Sequence, residues 1–167
     1  MLSQAIEQRQ TSGRLWLYSN YHCNLACRYC LTSSGPTVAK NALTGEQMLE
    51  AVKQAAQLGF QSIGVTGGEP FLHPDLWTLL LTMADILPVI VLSNGTMFHR
   101  SQNQSKLTGL CHPNLQIQIS IDSSTPEVHD RFRGEGSFRR AMQAIPLLRQ
   151  YGIAVRISST RSFDSEN

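Results

Sequence analysis

The stretch Arg14-Leu-Trp-Leu-Tyr-Ser19, followed shortly by Cys23-Asn-Leu-Ala-Cys27-Arg-Tyr-Cys30, decides how the rest of the chain is read. Its first part is a short β-strand, and residues 20–34 form the loop that this strand feeds. Three of the chain's 4 cysteines fall within the C-x3-C-x2-C run. An odd number packed that closely cannot close on itself as disulfides, and in a reducing compartment such a run is a metal site. Three thiolates on one loop can meet one face of a metal centre and leave a position open. Two centres fit: a cubane iron–sulfur cluster with one iron free to bind something else, or a zinc ion completed by His22, His73 or Cys111.

Outward from this loop, short β-rich runs alternate with longer runs of helical period, the signature of repeated βα units and a parallel sheet. Five strands are expected, over residues 14–19, 61–66, 89–92, 115–122 and 153–158. Thr44 and Gln47 have capping-box spacing at the head of a helix to Leu58; Met48, Val52, Ala55 and Ala56 form its apolar stripe, and Gly59 stands at the stop. Pro74 fits the first turn of a helix ending near Leu87, with Leu76, Leu79, Leu80 and Met83 on one face. The polar segment Thr96–Pro113 is a poor helix or an ordered loop. Leu115, Ile117, Ile119 and Ile121 alternate with Gln116, Gln118, Ser120 and Asp122. In a βα barrel the first set meets the helices and the second lines the interior. Thr125-Pro126 opens a helical turn, and Ser137 is expected to cap a helix running to Tyr151, which Gly152 stops.

Chemistry-bearing residues gather at the C-terminal ends of these strands, where βα folds collect ligands. Thr66-Gly67-Gly68-Glu69-Pro70 ends the second strand: the glycines permit close backbone approach, and the carboxylate suits an ammonium group. Ser93-Asn94-Gly95-Thr96 follows the third strand, and Ser120-Ile121-Asp122 ends the fourth. Alone, Asn-Gly is a turn and Asp122 a cap for the next turn. In His129-Asp-Arg-Phe-Arg133-Gly134 the planar fork of Arg133 is apt for a carboxylate.

The order of these segments resembles the core of the radical S-adenosylmethionine (SAM) superfamily over about residues 14–160. The resemblance implies an α/β fold, the partial (β/α) barrel of that core, with about five parallel strands present of an expected six. It implies that Cys23, Cys27 and Cys30 ligate a [4Fe–4S] cluster whose fourth iron is chelated by SAM. Tyr29 occupies the aromatic slot near the adenine, and Gly67, Gly68 and Glu69 match the motif that holds the SAM amino group. Ser93 and Asn94 resemble family positions at the cofactor, Ser120 matches a serine that contacts SAM, and Arg133 matches an arginine that meets the SAM carboxylate.

The implied chemistry is reductive cleavage of SAM to a 5′-deoxyadenosyl radical that abstracts a substrate hydrogen. No individual catalytic residue is implied beyond the cofactor sites. An external electron donor of flavodoxin or ferredoxin type is implied as a partner. The segments read most like the peptide-modifying and cofactor-maturing group, so the implied substrate is a peptide or another small molecule such as a cofactor precursor. Trp16 stands seven residues before Cys23, where the molybdenum-cofactor GTP cyclase carries a GTP-holding arginine, which counts against GTP. Because only five strands are read, the expectation is a core truncated at its C-terminal end, split, or completed by a second chain. The alternatives are a non-catalytic remnant that binds cluster and SAM, and a small zinc-binding interaction module.

Composition bounds the remaining classes. A length of 167 residues is about one domain, divided here into an N-terminal extension (1–13), the core (14–160) and a polar tail (161–167). Hydrophobic residues make up 41%, an ordinary globular share. Fourteen Lys and Arg against 12 Asp and Glu give a net charge of +2 without a basic run, so no nucleic-acid partner is expected. The most apolar stretch, Leu76–Leu92, is broken by Asp85 and Pro88, well short of the roughly 20 residues a bilayer requires. The N-terminal residues lack the apolar centre of a signal peptide, and a cytoplasmic location is expected. Cys111 is expected to be a free buried thiol, Met48 and Met83 core residues, and Trp16, Tyr18 and Tyr21 core or pocket-lining aromatics. His99, His112 and His129 have no partner at metal-ligand spacing.

Overall fold

A computed structural model describes residues 2–160; the polar tail at 161–167 lies outside the described residues. Five strands form one parallel sheet in sequential order: β1 (Arg14–Asn20), β2 (Ser62–Gly67), β3 (Val89–Ser93), β4 (Leu115–Ser120) and β5 (Ala154–Ser158). The crossovers carry α2 (Gly45–Gln57), α3 (Leu76–Ile86), α4 (Ser101–Leu107), α5 (Pro126–Arg133) and α6 (Ser137–Gln150), while α1 (Leu2–Glu7) precedes β1. Parallel pairing requires such crossovers, and because each moves one strand onward the sheet is an open section of a (β/α) barrel.

The alternation in β4 sorts its side chains as the sequence implied. Leu115, Ile117 and Ile119 are buried against the helices, and Gln116, Gln118 and Ser120 stand half-buried on the other face. The helix side holds the core, where Met48, Val52, Ile63, Leu80 and Met83 are fully buried. On the inner face Trp16 lies beside Gly64 in register. A Cβ at Gly64 would come within 2.3 Å of the Trp16 ring, so the glycine is what lets that aromatic lie on the sheet.

Some local expectations hold and others are corrected. The capping box at Thr44 and Gln47 forms, with bonds of 2.8 and 3.1 Å, and Gly59 (φ +88°) and Gly152 (φ +75°) stop their helices. The third helix begins at Leu76 with Asp75 at its cap, two residues beyond Pro74. Ser137 does not cap α6; Gly136 holds the cap position, and the Ser137 hydroxyl donates to Asp130. That carboxylate also accepts from the N–H groups of Gly136, the cap residue itself, and of Phe138, the donor a capping side chain would serve. The segment 96–113 contains α4, anchored by buried Phe98, Leu107 and Leu110 and by a bond from Asn103 Nδ2 to the Met97 carbonyl. Its polar sequence hides the helix because few side chains are needed to hold it. Cys111 is exposed, its thiol donating to the Gly152 carbonyl at 3.4 Å. β4 ends at Ser120, and Asp122 caps no helix.

Candidate functional site

At the C-terminal strand ends lies a cavity of about 890 Å³. Cys23, Cys27, Cys30, Tyr29, Gly67, Gly68, Ser93, Asn94, Ser120 and Arg133 all line it, so ten of the eleven residues singled out in the sequence meet there. Trp16 and Tyr18 also line it, and Tyr21 stacks on Tyr18 with ring centroids 6.2 Å apart. Glu69 alone stands behind the wall, with no exposed surface.

The cysteine loop is pinned to the end of β1. Cys23 N–H donates to the Gly35 carbonyl (3.3 Å), and Asn20 forms an isolated antiparallel bridge with Ala42. A turn from Cys30 N–H to the Cys27 carbonyl (3.2 Å) brings those two residues round, and Arg28 N–H reaches the Phe132 carbonyl in α5 (3.0 Å). Two of the sulfurs are met by donors. Leu25 N–H (3.4 Å) and Asn94 Nδ2 (3.7 Å) approach Cys23 Sγ. Ser34 N–H (3.4 Å) and the Thr32 hydroxyl (3.3 Å) approach Cys30 Sγ.

Burial pushes the Cys23 thiol up to about 11 and raises Cys27. Burial acts the same way on Cys30, but the Thr32 and Ser34 donors outweigh it and hold that thiol below its ordinary value. Thiolate ligation must therefore work against burial at Cys23 and Cys27 and is favoured by the donors at Cys30. Donors aimed at sulfur suit thiolate ligands of an iron–sulfur cluster. Among the described residues no three His, Cys, Asp or Glu side chains close on a single-ion site, whereas a cubane offers its irons at separate corners. The zinc-completing residues do not join the cysteines: His22 Nδ1 pairs with the Val38 carbonyl, His73 Nε2 with the Leu43 carbonyl, and Cys111 with Gly152. The donor set fits the cluster.

Glu69 organises the wall from behind. Its Oε1 accepts from Phe71 N–H (3.1 Å) and the Ser93 hydroxyl (2.9 Å), and its Oε2 from Asn94 N–H (2.8 Å). Burial nonetheless raises its pKa to about 7. The glycines before it serve the chain's own backbone. A Cβ at Gly67 (φ +142°) would meet the Asn20 carbonyl at 2.2 Å, and one at Gly68 the His22 carbonyl at 2.1 Å. Gly68 N–H and Glu69 N–H donate to those same carbonyls at 2.9 and 3.0 Å. Close approach was the reason read for glycine here, and the closest neighbour is the exit of β1.

On the far side Asp122 gathers four segments. It binds Arg133 through both oxygens (2.6 and 3.1 Å), accepts from the Tyr29 hydroxyl of the cysteine loop, and accepts from Thr160 N–H (3.0 Å) just beyond β5. Burial works against its charged form, but the Arg133 guanidinium and the Tyr29 hydroxyl hold its pKa below the ordinary carboxylate value. His129 Nδ1 accepts from Asp122 N–H (3.2 Å), and Asp130 closes the turn into α6. The sequence reading missed Asn24 and the structural duties of Asp122, His129 and Asp130; their only signal was proximity to the motifs.

A thiol triad on the β1 exit loop, backed by Gly-Gly-Glu, Asn-Gly and Ser-x-Asp strand ends on one (β/α) section, defines the class: residues 17–162 match the Radical SAM superfamily, and the chain belongs to it. It is 34% identical over 140 residues to the antilisterial bacteriocin subtilosin biosynthesis protein AlbA of Bacillus subtilis (strain 168), covering 83% of this chain and 31% of AlbA. It is 33% identical over 135 residues to the mycofactocin maturase MftC of Mycobacterium ulcerans (strain Agy99), covering 80% of this chain and 36% of MftC. The chain thus spans about a third of the length of these curated relatives. In fold it is similar to Streptococcus suis SuiB bound to S-adenosylmethionine, with a TM-score of 0.76 at 17% identity, covering 96% of this chain and 38% of SuiB. No helix among the described residues is long and apolar enough to cross a membrane.

Proposed function

We propose that this chain is the cofactor-binding core of a radical SAM enzyme that acts on a peptide. Cys23, Cys27 and Cys30 would hold a [4Fe–4S] cluster, leaving one iron for SAM. When bound and reduced by an external donor, cluster and SAM would supply a one-electron cleavage that yields a 5′-deoxyadenosyl radical for hydrogen abstraction. The chain's own contribution is binding, orientation and exclusion of side reactions. Gly67, Gly68, Ser120, Tyr29 and Arg133 all line the cavity in which SAM would lie. Glu69 would act on this cavity through Ser93 and Asn94, to which it is hydrogen-bonded.

One observation carries the reading: the three cysteines share a single cavity with the glycine pair, Ser120 and Arg133. A peptide substrate is supported by similarity to AlbA and MftC, named for bacteriocin biosynthesis and maturation, and by the likeness to SuiB bound to its precursor peptide SuiA. The test is 5′-deoxyadenosine formation when the anaerobically reconstituted protein is given dithionite and SAM. Product is expected from the wild type and none from Cys27→Ala. Equal yields from both would overturn the proposal.

A further inference from the structure

Asn94 belongs to a closed ring of hydrogen bonds between the cysteine loop and the exit of β3. The Thr96 hydroxyl donates to Asn94 Oδ1 (2.7 Å), Asn94 Nδ2 donates to Asn24 Oδ1 (3.0 Å), and Asn24 Nδ2 donates to Thr96 Oγ1 (2.7 Å). Asn24 follows Cys23 in the chain, and Asn94 reaches the Cys23 sulfur. Asn94 and Thr96 are more than nine-tenths buried.

The orientation of the Asn94 amide, often a matter of choice, is fixed here by the backbone. Thr96 N–H can only donate, and it lies 2.9 Å from the near atom of the Asn94 amide, which must therefore be Oδ1. The other end is then the NH₂ group. One of its hydrogens goes to Asn24, and the second faces Cys23 Sγ at 3.7 Å. Asn94 N–H is in turn held by Glu69 Oε2 (2.8 Å), so backbone and side chain are both locked. Both polar atoms of its side chain are thus engaged within the protein or with the sulfur.

From this geometry we infer that Asn94 is a positioning residue for the cluster, which sets its reduction potential by donating a hydrogen bond to the Cys23 sulfur. The inference rests on the cluster-binding reading above. Reduction adds negative charge that is shared with the ligand sulfurs, and a donor aimed at one of them stabilises the reduced form. A donor held by a buried ring undergoes little reorganisation when that charge arrives. Of the ligand sulfurs, Cys30 also receives a side-chain donor, the Thr32 hydroxyl, but Thr32 lies on the same loop. Among the described residues Asn94 alone ties a sulfur to a segment outside the cysteine loop, the exit of β3, so the geometry of β3 and Glu69 reaches the cluster through it.

The test is a redox titration of the reconstituted cluster without SAM, followed by the electron paramagnetic resonance of the reduced form. Asn94→Leu removes the donor at similar volume, and Asn94→Ser leaves a side chain too short to reach the sulfur. Both are expected to shift the midpoint to more negative potential. Thr96→Val opens the ring but keeps the Thr96 N–H to Asn94 bond, and is expected to shift the midpoint less than either Asn94 variant. Midpoints in Asn94→Leu and Asn94→Ser equal to wild type would overturn the inference, and so would Thr96→Val moving the potential as far as they do. If Asn94→Leu fails to load iron, Asn94→Ser decides alone. A wild type that assembles no cluster removes the underlying reading, an outcome distinct from a loaded wild type whose potential ignores Asn94.

Discussion

Asp122 and Arg133 form a bidentate ion pair in which both side chains are more than nine-tenths buried, with Nε–Oδ2 at 2.6 Å and Nη2–Oδ1 at 3.1 Å. The pair joins the end of β4 to α5, and through the Tyr29 hydroxyl and Thr160 N–H it also fastens the cysteine loop and the exit of β5. Arg133, read from the sequence as a hand for the SAM carboxylate, thus already has a carboxylate partner within the chain.

Removing one partner of such a pair leaves an uncompensated buried charge. Asp122→Leu is expected to destabilise the fold by about 3–5 kcal/mol in urea denaturation. The double variant Asp122→Leu/Arg133→Leu should recover most of that loss, because no buried charge remains. A single variant as stable as wild type would show that the pair does not hold these segments together.

Asp130 accepts three hydrogen bonds at the α5–α6 junction, at 2.7, 3.0 and 2.8 Å. Asp130→Ala should cost about 2 kcal/mol. Burial would raise its pKa, but the Phe138, Gly136 and Ser137 donors hold it below the ordinary 3.8. A depressed folded pKa gives a contribution that is complete above the unfolded value and lost as pH falls through the folded one. The stability difference between wild type and Asp130→Ala should accordingly shrink on acidification below about pH 4.

Glu69 has the opposite sign. Burial lifts its folded pKa to about 7 from an ordinary 4.5, so the folded chain binds more protons between those values. Stability should therefore decline as pH rises from 4.5 to about 7, and Glu69→Gln should flatten that slope. Parallel pH profiles for the two proteins would contradict this.

Gly68→Ala places a Cβ 2.1 Å from a backbone carbonyl, which no side-chain rotation relieves. A marked loss of thermal stability is expected together with loss of cluster loading. At Gly109 nothing lies within 4 Å of the added carbon, so Gly109→Ala should be neutral or slightly stabilising. Equal melting temperatures for both variants would show that the β1 exit does not need the glycine.

The βα succession, the capping box at Thr44 and the strict alternation of β4 were legible because period and cap chemistry act over a few residues. The convergence of ten site residues on one cavity was legible because the motifs fall at strand ends of a parallel sheet. What stayed hidden were partnerships across the fold. Nothing local in the sequence says that Asp122 will meet Tyr29 and Arg133, 93 and 11 positions away, or that Asn94 will meet Asn24, 70 positions away. For the same reason Asp122 resembled a helix cap, Ser137 took the capping role that belongs to Asp130 and Gly136, and Glu69 looked like an open ligand for an ammonium group.

The central claim is that Cys23, Cys27 and Cys30 hold a [4Fe–4S] cluster whose open iron takes SAM, and metal analysis with electron paramagnetic resonance of the reconstituted protein tests it most directly. The account predicts about four irons and four sulfides per chain in the wild type and in Cys111→Ser. It predicts far less iron on alanine replacement of any one of the other three cysteines, and a reduced-state spectrum that changes when SAM is added. Stoichiometric zinc with no iron uptake, or a cluster whose spectrum ignores SAM, would contradict it.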